Sequence, residues 1–173
     1  MTGARDELRY ITRILSRDLE TLAREVEAYP DDATLWATPP GTSNSGGNLA
    51  LHLVGNLQHF IGAQLGKTGY VRDREAEFNG RDVPRRQILA SIRSTIEVVN
   101  RVVPSLTPTI LAADFPLPVG DSRVTTEDFL LHLTTHFAYH LGQIDYHRKL
   151  VTGQATGVGA QSPAKLYSAR PAK

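Results

Sequence analysis

"TTEDFLLHLTTHFAYHLGQIDYHRKLV", residues 125–151, carries four of the chain's six histidines. Phe129, Leu130, Leu133, Phe137, Leu141 and Ile144 recur there at three- and four-residue steps, the apolar stripe of an amphipathic helix. Thr125 or Thr126 can cap its start, Glu127 and Asp128 suit the positive end of the helix dipole, and Gly153 stands where a left-handed terminal residue is expected. His132, His136, His140 and His147 follow at spacings of four, four and seven, so they lie close to one side of this helix, and part of the row borders the apolar face.

Working outward, three more segments show the same period. Arg5 to Tyr29 places Leu8, Ile11, Leu15, Leu19, Leu22 and Val26 on one stripe. A second helix is predicted from about Asn48 to Leu65, with Leu49, Leu53, Leu57, Phe60, Ile61 and Leu65 inward and Ser45 or Asn48 as its cap. A third runs from Arg85 to Val103 and ends at Pro104. Four amphipathic helices without any alternating strand pattern predict an all-α four-helix bundle. Between them, residues 30–47 have turn chemistry, with Leu35 and Trp36 plugging the end of a core, and residues 104–124 read as an irregular connection. Residues 66–84 are polar and punctuated by glycine; bundle neighbours are usually joined by about 2–8 residues, so this longer stretch is a crossover or a functional rim. Residues 1–153 are expected to form one domain, and 154–173 a tail, extended or partly disordered, with Leu166 and Tyr167 as docking candidates.

Composition excludes several functions. Lys and Arg number 19 against 18 Asp and Glu, and they are scattered, so there is no basic footprint for nucleic acid. No stretch approaches the roughly 18 apolar residues of a membrane span. The opening "MTGARDELRY" has charges where a secretory signal needs an apolar run, and a soluble, cytoplasmic protein is expected. The chain has no cysteine, which leaves histidines and carboxylates as its strong metal ligands.

Histidines four apart on a helix are separated by about 6 Å along the axis, and both can reach one ion. His132 and His140 are separated by about 12 Å and cannot. Either His132/His136 or His136/His140 can therefore be a pair. Helix two offers His52, set between Leu51 and Leu53, and His59, seven residues on. A histidine among apolar neighbours is often just a hydrogen-bonded core residue, but a pair on one helix with a single histidine on another can build a three-histidine site with open positions.

"LALHLVGNLQHF" (49–60) together with "HFAYHLGQIDYHRKL" (136–150) resembles the DinB/YfiT-like superfamily of small bacterial metalloproteins. The resemblance spans most of the chain, though only those two motifs are specific. It implies a left-handed bundle of up-down-down-up topology with a long crossover after helix two, and a metal site formed by His52, His136 and His140. In that family a run ending Gly-Gln follows the pair, here "HLGQ" (140–143), while the residue after the last histidine is often Arg and here is Leu141. A substrate contact by that Arg would be missing. Relatives include thiol-dependent S-transferases and an isomerase that use low-molecular-weight thiols, and homodimers are common among them.

Three neutral imidazoles would leave a divalent cation its full charge, to acidify water or bind a thiol or carboxylate. Zinc or nickel fits such ligands best, with iron or manganese allowed. Asn56, Tyr139 and Gln143 stand near the histidines as candidate substrate contacts, and Gln143 or Asp145 could instead orient an imidazole. Arg81, Arg85 and Arg86 could hold a carboxylate but read better as a solvated face. His59, His132 and His147 are expected at the surface or behind the ligands. The expected function is a divalent-metal enzyme acting on a small molecule by thiol transfer or hydrolysis. The competing reading is a non-catalytic, stress-associated metal-binding or interaction bundle.

Overall fold

The computed structural model describes residues 3–159 and 162–172, so positions 160, 161 and 173 of the tail lie outside the described residues. Four long helices carry the fold: α1 (Gly3–Glu27), α3 (Gly46–Leu57), α5 (Arg85–Val102) and α7 (Thr126–Thr152). Among them stand three short ones, α2 (Asp32–Trp36), α4 (Arg74–Asn79) and α6 (Pro108–Ala112). The expected caps hold: Ser45 accepts from the Asn48 amide, Thr125 from the Asp128 amide, and Gly153 turns left-handed at φ 68°.

Helix directions follow from which ends meet. Arg85, at the start of α5, donates to the carbonyl of Tyr29 just past the end of α1, while Asn100 near the end of α5 takes the Ser16 hydroxyl, so α1 and α5 are antiparallel. Gln58 reaches Thr95 and the backbone at Gly66 lies against Val102, so the α3 rod runs parallel to α5. Phe60 meets Phe129 while His52 meets His136 and His140, which sets α3 antiparallel to α7. The bundle is up-down-down-up, with α1 and α3 on one diagonal and α5 and α7 on the other.

Two connections hold more structure than their composition promised. Leu35 and Trp36 on α2 close the core as expected, both buried. The crossover, however, contains α4, whose cap Asp73 accepts from the Ala76 amide and whose Glu77 is buried against α3. The connection after α5 includes α6 and short β-bridges, Asp114 to Thr125 and Val119 to Ser122. The helix expected to run evenly to Leu65 changes after Leu57 into a π-helix, Gln58–Leu65, whose end bonds Gly66 N–H to Ile61 C=O at 2.9 Å. Gly62 sits inside it against Val98 and Thr68, where a larger residue would press on both. Among the described residues no helix is long and apolar enough to cross a membrane.

Candidate metal centre

His52 points inward from the middle of α3, is 6 % exposed, and faces the half-buried His136 and His140 of α7. One ligand nitrogen from each of the three lies within 4.8 Å of the others. The Nε2 atoms of His52 and His136 are 3.4 Å apart. The two rings on α7 are 4.6 Å apart between centroids, and each lies about as close to His52, at 5.3 and 5.1 Å. Of the two pairs that spacing allowed, the fold brings His136/His140 to His52.

The outward nitrogens of His52 and His140 are already committed. His52 Nδ1 lies 3.0 Å from Glu77 Oε2 and 3.3 Å from Arg72 Nη2; the carboxylate, which only accepts, is the nearer, so Nδ1 carries the proton and Nε2 presents its lone pair to the cluster. Arg72 holds the same carboxylate with two bonds of 2.7 Å, one to each oxygen. Burial alone would raise the Glu77 carboxyl, but the hydrogen bonds and charges of Arg72 and His52 outweigh it and hold it below the usual carboxylate range. His140 Nδ1 donates to Gln143 Oε1 at 2.7 Å, which likewise frees Nε2. Gln143, named from sequence as substrate contact or orienter, therefore touches a histidine of the cluster. Asp145, the other candidate orienter, does not: it pairs with Arg148 and Lys149 on its own helix.

Burial, then the neighbouring imidazoles, push His136 down to about 4. Burial also lowers His140, with His52 adding to the effect and the Gln143 bond opposing it. Both are neutral at pH 7, as ligation requires. The lone pair on His52 Nε2 faces His136 Nε2 at 3.4 Å, a contact that either the Nε2–H tautomer of a neutral His136 or a shared cation satisfies. The donor set, three neutral imidazole nitrogens without thiolate, fits a divalent cation of the zinc type.

The remaining histidines divide. His132 is exposed, stacks on Phe129 at 5.8 Å and stays outside the cluster. His59 lies half-buried against Phe60, with its Nδ1 buried and unbonded. His147 corrects the expectation of a surface or supporting place: it is buried, takes the Tyr29 hydroxyl on Nδ1 at 2.7 Å and donates from Nε2 to the Ala37 carbonyl at 2.9 Å. Seven residues beyond His140, it pins the end of α1 and the loop after α2 to α7. Arg81 and Arg85 are also not simply solvated; Arg81 braces Asn48 and the α4 carbonyls, and Arg85 holds Tyr29 and Asp32. Asn56 is buried one turn beyond His52, whereas Tyr139 is 66 % exposed beside His140.

The DinB superfamily model matches residues 14–144, which includes all three histidines and the whole crossover. The chain belongs to the DinB superfamily. No curated protein and no solved structure gave a significant match. A DinB bundle with this histidine cluster is compatible with metal binding. Sequence reasoning missed Glu77 and Arg72 at this centre. Their only signal was the length of the crossover, since the charges of "VRDREAEF" (71–78) look like those of any solvated loop.

Proposed function

We propose that this DinB protein is a divalent-metal enzyme in which His52, His136 and His140 hold the ion and a small molecule is transformed by thiol transfer or hydrolysis. The observation that carries the reading is the pair of Nε2 atoms facing at 3.4 Å while the opposite nitrogen of His52 is engaged by a buried carboxylate. Zinc or nickel suits these ligands best. A cation held there would turn a thiol or a water into a nucleophile at neutral pH.

The chain's own residues supply orientation. Glu77 and Gln143 keep the Nδ1 protons of His52 and His140 in place, which fixes both the tautomer and the ring plane. Phe78 packs at 4.9 Å against His52 and shields that side from water. Because Arg72 and Glu77 neutralise each other, the pair adds no net charge to the imidazoles. Without a cysteine in the chain, the sulfur for thiol transfer comes from a low-molecular-weight donor. Asn56 and Tyr139 are the side chains this reading gives to substrate.

The deciding experiment is elemental analysis of protein purified without a metal-affinity step, wild type against His136→Ala, followed by thiol-transfer assays with the metal found. Stoichiometric metal in the wild type, lost in the variant, is the expected result. A wild type that takes up neither zinc nor nickel overturns the reading.

A further inference from the structure

A cavity of about 460 Å³ lies against the C-terminal side of the histidine cluster. One wall is a single face of α7, where Tyr139, His140, Gln143, Tyr146 and Leu150 recur at helical spacing. Leu49 of α3 and the loop at 41–44 close the opposite side. At about 30 Å³ for each water, the space holds about fifteen waters, or a ligand of one or two rings.

Two properties of the lining narrow the ligand. No Asp, Glu, Lys or Arg contributes to it, so a charged group entering would lose water without gaining a counter-ion. Its hydrogen-bonding groups are the side chains of Thr42, Ser43, Asn44 and Gln143, the hydroxyls of Tyr139 and Tyr146, and the imidazoles of His140 and His147. Its apolar groups are unusually open: Tyr146 is 78 % exposed and Leu150 62 %. The tyrosines do not form a cage for a cation, since seven residues separate them by about 10.5 Å along the axis. The larger cavity between the crossover and α5, about 740 Å³, differs in being lined by Asp73, Glu77, Glu97 and Arg101 and by no histidine.

We propose that the cavity beside His140 is the acceptor site of this protein and takes an uncharged molecule with an aromatic or branched alkyl body. Its name as acceptor site rests on the metal-enzyme reading; its preference for a neutral ligand does not. Gln143 links the two, because the side chain that lines the cavity also fixes the His140 ring, so a ligand seated there lies against the cluster.

The test uses two fluorescent probes of the same skeleton, neutral N-phenyl-1-naphthylamine and anionic 8-anilinonaphthalene-1-sulfonate, titrated into the metal-free chain. Failure of metal uptake, which would sink the enzyme reading, then leaves this result readable. The neutral probe is expected to bind one site at least tenfold more tightly than the sulfonate. Tyr146→Asp and Leu150→Asp, both at open positions that tolerate a charge, should each weaken it tenfold or more. Leu131→Asp, also at an exposed position but against a different and smaller cavity, should leave it unchanged. Equal affinity for the two probes, or indifference to both cavity variants, overturns the proposal. So does sedimentation in which Leu150→Asp splits a dimer while the probe still binds, because the face would then be an interface between copies.

Discussion

At the residue scale, Glu77 decides the state of an imidazole that it meets across 25 residues of chain. Its carboxylate is buried, and removing it would strand two donors, the Arg72 guanidinium and the Nδ1–H of His52. A buried charge that loses its partner is costly, so Glu77→Gln is a test of orientation more than of bulk. An amide keeps the shape and one acceptor but loses the ion pair and can present its NH2 to Nδ1. We expect zinc affinity to fall about 10- to 100-fold, the usual effect of removing a group that orients a ligating histidine. Competition against a chromophoric chelator measures it. A change under twofold would mean that Arg72 and Glu77 merely brace the crossover.

At the scale of elements, Gly55 gives α4 its seat. A Cβ on Gly55 would collide with the Glu77 carboxylate, so the absence of a side chain on α3 is what lets the crossover approach His52. Gly55→Ala sets two effects against each other. Alanine gains up to about 1 kcal/mol over glycine within a helix, whereas overpacking a filled site costs about 1–3 kcal/mol. Overpacking should win, giving a lower urea midpoint and weaker zinc binding together; a stabilised variant with unchanged affinity would show that α4 yields freely. The same contact explains what could be read in advance. The long helices α1, α3, α5 and α7 follow from apolar residues at three- and four-residue steps, and His52 and His136/His140 follow from spacing joined to the family motifs. The role of α4 has no such trace, because its inward residue is a glutamate satisfied by partners on other segments. The π-helix is equally silent, since Phe60, Ile61 and Leu65 fit a 3.6-residue period as well as a wider one.

Across the whole molecule, polar contacts that composition cannot reveal tie the helices to one another and to the tail. Arg148 is buried against Glu25 and also reaches the Thr156 carbonyl, while Arg13 and Arg24 of α1 hold the carbonyls of Lys165 and Val158. His147 belongs to this set, and its burial makes stability depend on pH. Burial pushes the ring below its ordinary value near 6.5, and the bond to Ala37 only partly opposes this. Tyr29, which faces its other nitrogen, stays a neutral donor because burial, followed by the Glu25 charge, raises the phenol far above its usual range. The unfolded chain therefore takes up the His147 proton first as pH falls. The contribution is fully present above about pH 6.5 and is lost as pH drops from there through the lower folded-state value. In metal-free protein the lowered His136 and His140 add the same sign, so the comparison that isolates His147 is with His147→Gln, followed by urea unfolding between pH 4 and 8. The variant should be less stable at pH 8, where the Tyr29 and Ala37 bonds are weakened. Its stability should also fall more gently towards acid, by up to about 1.4 kcal/mol per pH unit for the one missing proton. Parallel curves would mean that the ring is protonated as readily in the fold as outside it, and that its two hydrogen bonds do not require the neutral form.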